Sequence, residues 1–477
     1  MALQARYDSI VVGSGPNGLA AAITLAGQGR SVLVYESRQN PGGAVSSAEL
    51  TLPGFIHDVG AAVFPMVLDT PFFRGLPLKR HGLELIFPHA SLAHPFDDGT
   101  AALIYRDVDK TIEGLGADGR GYEILVKPIL QGWNELSSDL LSPLHIPYHP
   151  LHLANFGIRV IAPVTVLARS VFRTPNARAL LAGLGAHSIL PLTHPLSSLF
   201  GIIMAVSCHN PGWPIVRGGA GALSHALVSH LTSLGGKILL SQEVRDLNDL
   251  EPSRALFFDL APAGVLKIAG DKLPSSYRHR LARHRAGPGV FKVDWALDGP
   301  IPWKAPECLE AATVHVGGSL EDVARSERDV WKGSHPERPF VFLVQPSLFD
   351  SSRSPYGKHT AWAYCHVPNG SDFDMTERIE AQIERFAPGF RDSIICRNIM
   401  PPSAIERFDA NCIGGDIAGG ANTIRGLFAR PVLSLNPYAM PADHMYICSA
   451  STPPGGGVHG LCGFHAANRY LEITPFD

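Results

Sequence analysis

Charge is scarce in this sequence. Asp, Glu, Lys and Arg make up 17% of its 477 residues, and the formal net charge is −3. No basic excess is present to draw nucleic acid or an acidic substrate. Cysteine is sparse as well: the seven are scattered singly from Cys208 to Cys462, without a CxxC pair. An odd, dispersed set reads as reduced thiols in a cytoplasmic protein, not as a disulfide framework. Long apolar runs are also missing. A membrane span needs about 20 uninterrupted apolar residues, and the most apolar region, Leu151 to Val206, is broken by Arg159, Arg169, Arg173, Arg178 and several prolines. The first apolar run reads as a strand and not as a secretory signal. These absences leave a globular, rather apolar chain, cytoplasmic or peripheral at a membrane, long enough for two or three domains. His145, His149 and His152 invite a metal, but Pro147 and Pro150 break the helix that would align them, so no metal is expected.

What is present organises the rest. Ser9 to Val12 has the character of a buried parallel strand and runs into Gly13-Ser14-Gly15-Pro16-Asn17-Gly18. Leu19, Ala22, Ile23 and Ala26 then follow helical spacing, and Ser31 to Tyr35 forms a second strand ending at Glu36. Strand, glycine turn, helix, strand and acid make the dinucleotide-binding βαβ unit. Gly13 permits the turn, Gly15 admits a pyrophosphate, and Gly18 lets helix and strand pack closely. The helix N-terminus favours the phosphate charge. Glu36, 23 residues beyond Gly13, can accept from a ribose hydroxyl and would repel a 2′-phosphate.

The residues after the acid extend the pattern. Ser37, Arg38, Gly42, Gly43 and Ala44 fit R-x(n)-GG, and here the chain resembles two-dinucleotide-binding-domain flavoproteins. That resemblance implies non-covalent FAD, with this loop along its diphosphate and ribityl chain. His57 and Asp58 follow, either near the cofactor or as turn residues bonding their own backbone. Residues 70–211 carry no dinucleotide motif and read as a largely helical insertion. From Arg217 a GG-helix-GG-strand-V pattern resembles phytoene desaturases and flavin amine oxidases, which implies that the Val244 backbone contacts adenine.

Four arginines stand in the eight residues Arg278 to Arg285. Two readings are open for them: a solvated helix face, or a face towards anionic lipid. Gly289 to Leu297 alternates as a strand with Lys292 and Asp294 on one face. Flavin amine oxidases carry a lysine on a comparable strand, ahead of a pair like Pro302-Trp303, which implies Lys292 beside flavin N5; an ion pair with Asp294 is the structural alternative. Phe340–Val344 and Thr360–Val367 read as strands and Met375–Phe386 as a helix capped by Thr376. Near the C-terminus, an apolar strand leads through Ser451, Gly456, Gly457, Val458 and His459 into a helix whose dipole would favour negative charge on a reduced flavin. His459 could move protons or cap that junction.

Together these motifs resemble the phytoene desaturase-related flavoproteins, a group with retinol saturase, prolycopene isomerase, carotenoid ketolase and pyridine-nucleotide-disulfide oxidoreductase-like branches. The resemblance implies an α/β fold: a Rossmann-like FAD-binding domain from residues 1–70, 214–288 and 405–477, and an α+β substrate domain from 71–213 and 289–404. It implies hydride transfer between flavin N5 and a hydrophobic, unsaturated or isoprenoid-like substrate, with Lys292, Asp294 and His459 as candidates for proton traffic. A reduced-FAD polyene isomerase, an amine oxidase and a non-catalytic FAD-stabilised scaffold are the alternatives.

Overall fold

A computed structural model describes residues 6–474. Its first layer is a parallel sheet in the order Met445–Ile447, Ser253–Phe258, Tyr7–Val12, Val32–Tyr35, Lys237–Leu239. Val32–Tyr35 is buried along its length and Tyr7–Val12 is buried from Ser9 and apolar from Ile10, because helices and loops cover both faces there. Helix Pro16–Gly27 follows the first strand, and the last helix, Leu461–Ile473, lies directly against it. Gly463 makes that crossing feasible: a Cβ there would fall 1.8 Å from the Asn17 carbonyl oxygen. Small residues thus bring the first and last described helices together beside the turn.

The second layer is a seven-stranded mixed sheet. Its order is Ile394–Met400, Gly289–Leu297, His359–Val367, Val341–Val344, Ala311–Val316, Ala90–Pro95, Ala101–Tyr105. All nine residues of Gly289–Leu297 are buried, since strands flank both edges and side chains cover both faces. One face packs on helix Thr376–Phe386, the other on helices between residues 119 and 209. Thr376 is not the cap of its helix. It occupies the first helical position, and the Asp374 carboxylate accepts its N–H at 2.8 Å.

Among the described residues no single helix is long and apolar enough to cross a membrane. Helices Pro150–Val160 and Val164–Val171 form a pair bent by 91°. Around them Ile146, Tyr148, Leu151, Ile158 and Ile161 stand exposed, Ile146 at 90%. No Asp or Glu occurs from residue 140 to 242.

The two layers meet at a buried carboxylate. Asp58, on the two-residue strand His57–Asp58, receives both Nη atoms of Arg353 at 3.1 Å. It also accepts from the Ala220 N–H at 2.7 Å and the Ser47 hydroxyl at 3.1 Å. Arg353 in turn donates to Asp350 and to the Val216 carbonyl. All three charged side chains are fully buried, so the cluster persists only because each polar atom is matched. Asp58 therefore neither closes a local turn nor stands as a free acid; it pins distant segments. Replacing Arg353 with Met strands two buried carboxylates. We expect a loss of about 3–5 kcal/mol in urea unfolding, and Arg353→Lys will recover little of it because the paired geometry needs a guanidinium.

Candidate dinucleotide and redox site

The turn at the head of helix Pro16–Gly27 is built for close approach. A Cβ on Gly18 would meet the Gly13 carbonyl at 2.2 Å, and one on Gly43 would meet the Gly15 Cα at 3.2 Å. The Gly42 N–H donates to the Ser14 carbonyl at 3.0 Å, which lays the double glycine against the turn. Gly15 stands at the N-cap with no side-chain cap, and Pro16 occupies the first turn. This end of the helix thus keeps its positive pole open to a phosphate. Glu36 is buried and accepts from the Ser14 N–H at 3.0 Å and the Arg38 N–H at 2.9 Å, with Ser37 beside it at 3.3 Å. The Ser14 hydroxyl also donates to it at 2.6 Å, so a ribose hydroxyl would take the place of one of the two serine hydroxyls. Arg38 donates to the Phe408 carbonyl at 3.1 Å and lies 3.9 Å over the Phe408 ring. Ala44 receives the Ala61 N–H at 3.0 Å, and Val244 is buried beyond the second strand. Asn17 keeps an unpartnered buried Oδ1. These features fit an FAD diphosphate and ribose.

One residue of this site escaped the sequence reading. Asp259, just past strand Ser253–Phe258, accepts the Gly18 N–H at 2.9 Å. A Cβ on Gly15 would come within 2.6 Å of its Oδ2. Burial raises its pKa to about 7 and the Gly18 bond opposes that; neighbouring Asp409 and Glu36 add to the rise. A protonated Asp259 is compatible with an adjacent pyrophosphate. An ionised one repels it.

The C-terminal loop is held by Arg430, which is buried. Its guanidinium donates to the Ala450 carbonyl at 3.2 Å, the Gly426 carbonyl at 2.7 Å and the Asn422 side chain at 3.0 Å. A Cβ on Gly456 would press within 2.8 Å of Ala418, so this loop and the one at 414–420 interlock. Ser451 lines a small cavity of about 230 Å³ between them. Gly457 has φ +134°, and Val458 is half-buried against the core. His459 sits at the loop–helix junction: Nδ1 accepts the Leu461 N–H, and Nε2 faces the Gly455 carbonyl, both at 3.0 Å. Burial brings its pKa down to about 4, so the ring is neutral at pH 7 with both nitrogens engaged.

Lys292 and Asp294 form a buried ion pair on the second strand from the edge of the mixed sheet. Burial raises the Asp294 pKa and the Lys292 charge opposes it. The His57 Nδ1 lies 3.8 Å from Asp294. Burial, then Lys292 and Arg353, hold that ring neutral with a pKa of about 3. His459 makes its bonds elsewhere, at the foot of the last helix, so the three candidates for proton traffic fall into two groups. Lys292 Nζ is 5.0 Å from the Trp362 ring centroid.

From Trp362 a layer of rings extends along the sheet. Trp362 and Tyr364 are 5.9 Å apart, Tyr364 stacks on Phe342 at 4.7 Å, and Phe342 meets His187 at 4.7 Å and His315 at 5.3 Å. Burial lowers the His187 pKa to about 3 and the His94 pKa to about 4, and that of His315 further. These three histidines are therefore neutral, while His366, at 5.2 Å from the Phe342 ring, bonds the buried Glu327 carboxylate at 2.8 Å. The layer's signal in the sequence was the alternation of Trp362, Tyr364 and His366 on one strand face. Among the described residues no group of three His, Cys, Asp or Glu could hold a metal. His145 instead bonds Asp139 at 2.9 Å.

The Asp259 geometry yields a pH dependence. Its folded pKa lies above the ordinary carboxyl value, so the neutral form persists up to about pH 7 and is lost above it. FAD affinity should fall from pH 6 to pH 8.5 in the parent protein by about tenfold, the weight of one nearby charge. Asp259→Asn should flatten that slope, as read by flavin fluorescence titration.

Known proteins resemble the chain over nearly its whole length. Residues 11–74 match the profile of the NAD(P)-binding Rossmann-like domain. Rat pyridine nucleotide-disulfide oxidoreductase domain-containing protein 2 is 26% identical, covering 98% of this chain and 93% of the rat protein. The lycopene-forming phytoene desaturase of a Paracoccus species is 22% identical, covering 98% of each. In fold, an oxidoreductase from Methanosarcina mazei superposes with a TM-score of 0.64 at 15% identity, over 97% of this chain and 99% of that one. Dinucleotide turn, double glycine, C-terminal glycine loop and full-length relatives converge: the chain is an FAD-dependent oxidoreductase related to the phytoene desaturases.

Proposed function

We propose that this enzyme moves a hydride between a carbon of a hydrophobic, unsaturated or isoprenoid-like substrate and N5 of non-covalently bound FAD. The observation that carries the reading is the layer of rings running from Trp362 through Tyr364 and Phe342 to His187 and His315, with the Lys292–Asp294 pair at its Trp362 end. Aromatic rings interleaved with neutral histidines suit a polyene or isoprenoid. The Paracoccus relative, named for acting on phytoene, supports the same class. When bound, FAD supplies the two-electron acceptor or donor. The chain's own part is to hold the reacting carbon about 3–3.5 Å from its partner atom, to exclude water, and to handle the accompanying proton. Lys292, with Asp294 against it, is the group for that proton. The same proposal sets the enzyme in the cytoplasm with peripheral membrane contact, which the exposed apolar residues around helix Pro150–Val160 support.

Anaerobic spectroscopy of the FAD-loaded protein tests the reading. Polyenes or isoprenoids should bleach the oxidised flavin band, and amines should not. Bleaching by amines alone would overturn the substrate class. Isomerisation of a polyene only after dithionite reduction would replace redox turnover with an isomerase, and a flavin that no donor reduces would favour the scaffold. Lys292→Met should slow the reductive half-reaction by about a hundredfold with FAD content unchanged; an unaltered rate would leave Lys292 as a core ion pair only.

A further inference from the structure

A cavity of about 940 Å³ shares no residue with the ring layer, and its charge runs against the net charge of the chain. Two segments converge on it. One brings Arg280, Arg283 and Arg285, from the basic run that the sequence left between a solvated face and a lipid-facing one. The other brings Arg425 and Arg430. No Asp or Glu lines the cavity. Arg430 is occupied by the loop carbonyls, and Arg280 lies over the Tyr277 ring at 5.7 Å. Arg283, Arg285 and Arg425 are exposed, and among the described residues their guanidiniums have no ion-pair or hydrogen-bond partner. The rest of the wall is apolar, with Trp331, Val432 and Leu433.

Three unpaired guanidiniums beside an apolar wall define a ligand by its chemistry. Guanidiniums match phosphate oxygens in paired geometry. A single carboxylate would neutralise one of the three; a phosphate or diphosphate, with its higher charge and more oxygens, matches the set. A concave site of this volume takes a molecule of some tens of atoms. The cavity shares His284 and Ala286 with the smaller one beside Gly419, Gly420 and Ser451, so it borders the loops that the FAD reading assigns to the cofactor.

We propose that this cavity binds the head of an anionic amphiphile, an apolar chain ending in phosphate or diphosphate, and that the substrate of the proposed redox reaction belongs to that class. The assignment to the substrate rests on the hydride-transfer reading above. The binding site itself stands on the arginines and the wall.

Calorimetry on the FAD-loaded chain tests it, with geranylgeranyl diphosphate below its micelle concentration as the probe and geranylgeraniol as its uncharged counterpart. The diphosphate should bind once per chain, at least tenfold tighter than the alcohol, and more weakly as salt rises. The double variant Arg283→Glu/Arg285→Glu should lose at least tenfold, and so should Arg425→Glu, with melting temperatures verifying the fold of each. Equal binding of alcohol and diphosphate would overturn the proposal, as would unaltered affinity in both variants. Binding to phosphatidic acid vesicles without binding of the free diphosphate would also overturn it, exposing a membrane-surface patch in place of a cavity site. Flavin content is read in the same samples. Protein without FAD that still binds the probe would support the site and sink the redox reading; FAD-replete protein that ignores the probe would sink the site alone.

Discussion

The pairing of Asp58 with Arg353 is the constraint on which the remaining architecture depends. It joins the segment after the double glycine, the loop leading into helix Gly221–Ser233 and the turn before strand His359–Val367. Removing two charges from water is costly, and the attraction between them offsets this only with matched geometry. Both carboxylate oxygens and the whole guanidinium are matched here. The pair therefore specifies a single relation between the parallel sheet and the mixed sheet, and with it where the ring layer stands relative to the dinucleotide turn.

What could be read directly from the sequence was short in range. The glycine turn, its flanking strands and helix, and Glu36 lie within about thirty residues of each other, where local periodicity and backbone need are decisive. The strand Gly289–Leu297 was legible for the same reason. The Asp58–Arg353 pair was not, because 295 residues separate its partners. Nor was Asp259, an acid whose meaning comes from lying beside Gly15 and Gly18 after the chain has crossed the sheet. The basic run shows a different limit. Net charge describes the whole surface, whereas Arg283, Arg285 and Arg425 are gathered by the fold into one concavity that the overall −3 conceals.

Two electrostatic regimes coexist in one molecule. Along the mixed sheet, burial keeps His187, His94 and His315 neutral beside the aromatic rings. At the outer cavity, unpaired arginines stand exposed to water. A ligand spanning both would meet recognition at one end and permissive, low-polarity surface at the other. Division of this kind lets affinity come from the head group while the chemistry acts on carbons that carry no handle of their own.

The parallel sheet takes its strands from residues 7–35, 237–258 and 445–447, and the last helix must lie across the first before the glycine loops interlock. On the ribosome, this means that the first strand pairs early with Val32–Tyr35 but gains its other neighbour, Ser253–Phe258, much later, and that strand in turn waits for Met445–Ile447. Domains usually fold as units as the chain emerges; this one cannot close until its final helix is free. The emerging chain must therefore carry an open sheet edge for most of its synthesis, first along Tyr7–Val12 and then along Ser253–Phe258, a surface that other chains can pair with until the last strand arrives.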